Sequence, residues 1–267
     1  MIKKIYLGLV LFFLYAPIFV LTIFSFNDSK SRANWGGFTF KWYVELFNDP
    51  HIMKALSNTL LIACLSAVIA TAIGTVAAVG IDVLNKRPKK IVMGLTNLPV
   101  MNPDIVTGVS LMILFIFAIR LLGLNGLGFN TLLLSHVIFN VPYVILSVMP
   151  KLRQLDGNLY EAALDLGASP FTAFLKVILP QIWPGVVTGM MLAFTLSVDD
   201  FVISFFTTGS GVSNLSIIIF SMARRGVNPK INALSTIIFA VVLILLYAIN
   251  KRDNRKSEDK SYEKVSV

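Results

Sequence analysis

Three acidic residues lie where acids are costly. Asp104 is the only charge between Ile91 and Ile119, and Asp199 and Asp200 are neighbours inside the apolar run from Trp183 to Phe206. An ionised side chain at the centre of a membrane-spanning helix costs roughly 2.5–3.5 kcal/mol, so the Asp199–Asp200 pair represents about 5–7 kcal/mol if both ionise at depth. Something must offset that cost, and a cation passing along an aqueous path would do so. Counted from Gly185 at about 1.5 Å per residue, the pair lies roughly 20 Å along its span, past the middle. Consecutive helical residues point about 100° apart, so the two acids cannot serve one spot equally. Thr188, Thr195 and Asp199 fall on one face and Ser197, Asp200 and Ser204 on another, and the second is the better candidate for a substrate path. The structural alternative is that one aspartate pairs with a base or caps a helix in a neighbouring subunit. Asp104 also has two readings. Asn102-Pro103-Asp104 has the form of a helix start, with a cap, a first-turn proline and an acid favoured by the dipole. It also lies about 16 Å deep if the chain is helical from Ile91, and broken backbone at that depth is tolerated mainly where it lines a cavity.

The elements that must carry these residues are membrane spans. Of 267 residues, 56% are apolar and 14% charged, with a mean hydropathy of +0.78. A soluble domain is about 25% charged, so an ordinary water-soluble globule is excluded. The apolar runs predict an all-α, polytopic membrane protein forming one domain over 1–267. Its six spans are expected at 5–26, 58–81, 91–119 (broken near 99–103 by Pro99 and Pro103), 131–149, 183–206 and 231–250. The first is read as an uncleaved anchor, because it carries Pro17 and ends at Ser25-Phe26-Asn27-Asp28 without a small-x-small cleavage site. In the second, Ala70, Gly74 and Ala78 recur every four residues, the spacing of close helix packing in lipid. Val212 to Ala223 is too short to cross and reads as re-entrant or interfacial, and the charged tail after Lys251 reads as disordered.

The net charge of +9 gathers beside the apolar runs. Lys86-Arg87-Pro88-Lys89-Lys90 is the strongest cluster, and the positive-inside rule places it and both termini in the cytoplasm. Lys30, Arg32, Lys41 and Lys54 in the 27–55 connection count in the other direction. This distribution suits a membrane surface, and no nucleic-acid partner is expected. The single cysteine, Cys64, builds no disulfide or metal site alone, and His51 and His136 have no ligand spacing. Neither a metal nor a cofactor is expected, and each histidine reads as a structural polar residue.

Between the fourth and fifth spans, residues 158–180 read as two short helices forming an elbow. Asn158 is expected to cap the first with Glu161 in a capping box, and Gly167 to stop it in a left-handed turn. Ser169 is expected to cap the second with Pro170 in its first turn, and Leu179-Pro180 with Trp183-Pro184 to end it. Leu164, Leu166, Phe171, Phe174 and Leu175 are apolar in an exposed loop, which calls for a protein partner.

These residues carry a resemblance. Glu161-Ala162-Ala163, then Gly167, then Val177-Ile-Leu-Pro180 resembles the EAA loop of ABC-importer permeases. Phe38-Thr39 with Trp42-Tyr43, Asn58-Thr59, Pro103-Asp104 and Ser197-Val-Asp199-Asp200 resemble the spermidine/putrescine permease subunits within that family, across roughly 5–250. The resemblance implies a type I ABC importer permease fold and a place in the bacterial cell membrane. It further implies a heterodimer with a homologous permease, two ABC ATPase subunits and an extracytoplasmic polyamine-binding protein. On this reading Glu161, Ala162, Ala163, Gly167, Phe171, Phe174 and Pro180 couple to the ATPase. Asp199, Asp200, Ser197, Ser204 and Asp104 contact a small cationic substrate, and Trp42 and Tyr43 either stack on it or sit in the commoner interfacial aromatic belt. Glu161 has no second acid or nucleophile in view, and no Gly-Lys dipeptide exists for a Walker A loop, so a transport subunit and not an enzyme is expected. Other readings are an importer of another cargo, such as ferric iron or thiamine, and an ion-coupled secondary transporter using the Asp pair as a relay.

Overall fold

The computed structural model describes residues 2–29, 34–123, 126–209, 211–225, 229–240 and 243. The described residues are almost wholly helical, with no strand among them beyond one isolated bridge between Asn27 and Phe38. Five helical stretches are long and apolar enough to cross a bilayer: Lys4–Phe24, Pro50–Asp82, Asp104–Leu122, Phe129–Leu152 and Pro170–Asp199. At about 1.5 Å per residue, even the shortest covers roughly 28 Å, close to the hydrocarbon thickness. Residues 229–240 are also helical; the remainder of the span expected at 231–250, apart from residue 243, and the charged tail lie outside the described residues.

The chain forms two compact units, one of Met1–Met53 with Ile219–Val267 and one of Lys54–Ile218. In the first unit, α1 (Ile2–Phe24) carries Pro17 within it, and none of the residues in its apolar stretch is fully buried. A short α2 (Lys41–Phe47) follows, burying Trp42 and Leu46. Lys230 closes this unit with ion pairs to Asp49 at 3.2 Å and Glu45 at 3.7 Å.

The second unit holds most of α3 (Pro50–Asp82), then α4 (Lys86–Met101), α5 (Asp104–Leu122), α6 (Phe129–Leu152), α7 (Asn158–Asp165), α8 (Pro170–Ala173) and α9 (Leu179–Asp199), α10 (Val202–Thr207) and the start of α11 (Leu215–Arg224). Its core is built around α6, whose Val144 and Val148 are fully enclosed by Ala70 and Ala78 of α3 and Ile182, Val186 and Ala193 of α9. Small residues decide how closely these helices approach. A Cβ on Gly74 would stand 2.7 Å from Val144 Cβ, and one on Gly189 would stand 3.2 Å from Val144 Cα. Val144 is thus gripped between two glycines, which in lipid replaces the hydrophobic drive with dispersion contact.

Two expected boundaries move. Pro99 does not interrupt the third span: it is carried in the last turn of α4, where one lost hydrogen bond costs little, and the chain leaves the helix at Asn102–Pro103. Pro180 and Pro184 do not end the elbow either. Phe174–Ile178 forms a π-helical turn in which the Leu179 N–H bonds Phe174 O, and the helix runs on through Pro180 and Pro184 as α9.

Candidate functional site

The expected continuous helix over 183–206 is two helices. α9 ends at Asp199, Asp200 adopts an extended ψ of 124°, and α10 restarts at Val202. The restart is made by Asp200 itself: its Oδ1 accepts the Ile203 N–H at 3.1 Å and its Oδ2 the Ser204 N–H at 2.7 Å. Two backbone donors thereby satisfy a carboxylate whose side chain is only 7% exposed. Asp199, one residue earlier, is exposed and makes no hydrogen bond or ion pair among the described residues. The two acids therefore part company at the break, one turned inward to the backbone and one outward.

α6 faces this break with a column of polar groups. Thr131 Oγ1 donates to Thr207 O at 2.8 Å, and Ser135 Oγ and Thr207 Oγ1 lie 2.9 Å apart. His136 Nε2 lies 3.0 Å from Ser204 Oγ and 3.7 Å from Asp200 Oδ2. One turn further, Asn140 donates to Ser197 Oγ at 2.7 Å, and Ser197 meets Ser66 of α3 at 3.0 Å. Asn58 and Thr59 of α3 hold the segment after α10, through Ser213 O at 3.0 Å and the Leu215 N–H at 2.8 Å. Beside the break, Gly108 of α5 packs on the first turn of α10, where an added Cβ would meet Ile203 Cα and Val202 O at 3.4 Å. Asp104 opens α5 one turn before Gly108, exposed and within electrostatic reach of Tyr143. The interruptions at 102–103 and 200–201 therefore flank one helix contact.

At the other end of this unit, residues 156–180 form the elbow. Asp156 Oδ1, not Asn158, caps α7, accepting the Asn158 N–H at 3.0 Å; Gly157 occupies the capping position and Asn158 is already helical. Gly167 stops α7 at φ +84°, in the left-handed region that glycine alone enters without strain. Ser169 Oγ accepts the Thr172 N–H at 3.3 Å, and Pro170 is the first helical residue of α8. Ala163 and Ala173 are buried where α7 packs on α8 and the π turn, while Glu161 and Ala162 are exposed and Phe174 is half-buried. Leu166 is 90% and Phe171 71% exposed, a concentration of apolar surface with no covering among the described residues. Beneath the elbow, a cavity of about 600 Å³ is lined by Val79, Leu152, Asp156, Glu161, Phe174 and Ile178.

Residues 70–255 match the family described as binding-protein-dependent transport system inner membrane component. The chain is 43% identical over 236 residues, 88% of each chain, to the spermidine/putrescine transport system permease protein PotC of Escherichia coli strain K12. The chain belongs to this permease family. It is also 41% identical, over 87% of this chain and 84% of the relative, to the putrescine transport system permease protein PotI of the same strain. Its fold resembles that of a bacterial ABC transporter involved in the import of the acidic polysaccharide alginate, with a TM-score of 0.72 at 17% identity, covering 95% of this chain and 94% of that one. A multi-pass, all-α membrane permease, expected from the apolar runs and the elbow, is thus what the chain is.

Within this permease the expected path residues separate. Asp199 and Asp104 are exposed at their interruptions, whereas Ser197, Ser204 and the Asp200 carboxylate are turned into the packing between α6 and α9–α10. The face expected to line a path is therefore the face that holds the break, because a cap and a polar column bury it. Trp42 is 3% exposed, donates its indole N–H to Asn27 O at 2.7 Å and has Lys41 Nζ 5.3 Å over its ring, so it is packed within its own unit. His136 and Asn140, four residues apart on an apolar helix, are the functional-site neighbours that spacing motifs passed over. Their signal was a row of polar side chains, Thr131, Ser135, His136 and Asn140, within a mostly apolar span.

Proposed function

We propose that this permease is the membrane subunit of an ATP-driven importer of polyamines such as spermidine and putrescine. The observation that carries the reading is Asp199: an exposed, unpaired carboxylate at a helix interruption, in a chain whose relatives are named for spermidine and putrescine transport. An acid at that place is costly empty and favourable beside an ammonium group, which is the requirement for passing a cation. Asp104, at the adjoining interruption, offers a second charge to a cargo with two or more amines. Ser197, Asp200 and Ser204 serve the same site by shaping it.

The subunit works beside a homologous permease, with two ATP-hydrolysing subunits inside the cell and a polyamine-binding protein outside, in a bacterial cell membrane with both termini cytoplasmic. Glu161, Ala162, Ala163, Gly167, Phe171, Phe174 and Pro180 form the elbow on which the ATPases push; the exposed Leu166 and Phe171 support that role. Closure of the ATPases rocks the spans, and the site opens first outward and then inward. The chain performs no catalysis itself.

The test is ATP-dependent uptake of radiolabelled spermidine and putrescine by the complete complex in liposomes. Wild type should show saturable uptake, Asp199→Asn should raise KM or abolish uptake with assembly intact, and Glu161→Ala should uncouple ATP hydrolysis from transport. An intact, ATP-hydrolysing wild-type complex that moves no polyamine would refute the cargo; uptake without the ATPase would refute the class.

A further inference from the structure

We propose that His136 is a positioning residue for cargo recognition: from α6 it holds the Asp200-capped interruption that leaves Asp199 open to the aqueous path. This rests on the reading of Asp199 as a cargo contact.

His136 is 1% exposed, and its Nε2 faces two groups at once, Ser204 Oγ at 3.0 Å and Asp200 Oδ2 at 3.7 Å. Ser204 also donates its N–H to that same Oδ2 at 2.7 Å. The imidazole meets the Ser204 hydroxyl and the Ser204 N–H binds the Asp200 carboxylate, so this one residue in the first turn of α10 links α6 to the cap. Nδ1 has no partner among the described residues, which places the proton on Nε2, toward the acceptors; an idle ring lone pair costs less than an idle N–H. The other rungs of the column, Ser135–Thr207 above and Asn140–Ser197 below, join neutral groups across regular helix. At His136 α6 comes within 3.7 Å of the Asp200 carboxylate, at the point where the facing chain leaves α9 and restarts as α10.

The consequence falls on Asp199. In an uninterrupted helix Val202 and Ile203 would stand at i+3 and i+4 over Asp199 and cover it with apolar surface. The break carries these two residues away to pack against Gly108 of α5. Without His136, Asp200 keeps its two backbone donors but Ser204 loses its partner on α6, so the start of α10 is no longer held there and the continuous helix becomes competitive.

The test uses the complete importer in liposomes with spermidine as the probe. His136→Gln keeps a donor near the Nε2 position, and His136→Leu keeps only bulk. Among assembled, ATP-hydrolysing complexes, His136→Leu is expected to raise the KM for spermidine about tenfold or more, with His136→Gln within about threefold of wild type. Exposure of position 199 is read separately, with Asp199→Cys in a Cys64→Ser background, as the rate at which a charged, membrane-impermeant thiol reagent labels this chain. His136→Leu should slow that rate about tenfold and His136→Gln should not. Should His136→Leu not assemble, Ser204→Ala removes the hydroxyl that His136 meets, leaves the backbone cap in place, and is expected to slow labelling about threefold. Labelling unchanged in the variant that assembles, or slowed equally by Gln and Leu, overturns the proposal. If wild type takes up no spermidine while labelling still follows His136, the cargo reading fails and the positioning role stands.

Discussion

Gly74 offers a sharp test of how the helices are held. An added Cβ there would stand 2.7 Å from both Cβ and Cγ1 of Val144 and 3.2 Å from Val141 O. Carbon atoms in contact prefer about 3.5–4.0 Å, so Gly74→Ala is short by roughly 1 Å. Val144 Cβ is fixed by the α6 backbone and no rotamer moves it away. α3 and α6 must therefore separate, and overpacking of this kind costs about 1–3 kcal/mol. Gly80, on the same helix, would meet nothing within 4 Å if it carried a methyl group, and it serves as the control. Both substitutions gain the same helix propensity of about 1 kcal/mol, so the difference between them isolates the clash. At about 2–4 °C per kcal/mol, Gly74→Ala should melt on the order of 2–12 °C below Gly80→Ala. The assay is the midpoint of thermal loss of the monodisperse complex in detergent. Equal midpoints would refute the close-packing argument.

Two further expectations follow from particular residues. Burial raises the Asp49 carboxyl, but the hydrogen bond and charge of Lys230 and the N–H groups of Ile52 and His51 outweigh it and hold it below its ordinary value of 3.8. A depressed carboxyl stabilises above its unfolded value and loses that contribution as pH falls through the folded one, so the stability gap between wild type and Asp49→Asn should be flat above about pH 4 and close below it. A gap that closes between pH 5 and 8 in the melting midpoint would contradict this. At Gly167 the φ of +84° admits Asn better than Ala and Ala better than Val, so ATPase co-purification should fall in that order, with about 1–2 kcal/mol of strain for Ala. Retention of full coupling by Gly167→Val would show that the turn is not required.

What the sequence determined by itself was local or periodic. Long uncharged runs can be satisfied in lipid only as helices, so class and most of the spans were legible without knowing what packs on what. Gly167, Ser169 and Pro170 were legible for the same reason: caps and turns join residues within a few positions of each other, and their chemistry is written in that window. Asp156 displaced Asn158 as the cap by two residues, an ambiguity that neighbouring polar side chains always leave. The tertiary structure decided the rest. Asp200 caps the chain three and four residues ahead of it, but its burial against His136, more than sixty residues away, at a break that no proline or glycine marks, is set by packing. Pro180, expected to end the elbow helix, instead follows a π turn in a helix that continues into α9, whose Ile182, Val186 and Ala193 are buried with α6. Helix ends follow from nearby residues, but the partner of a buried polar group is chosen by which distant segments meet, and that is a property of the packed core alone.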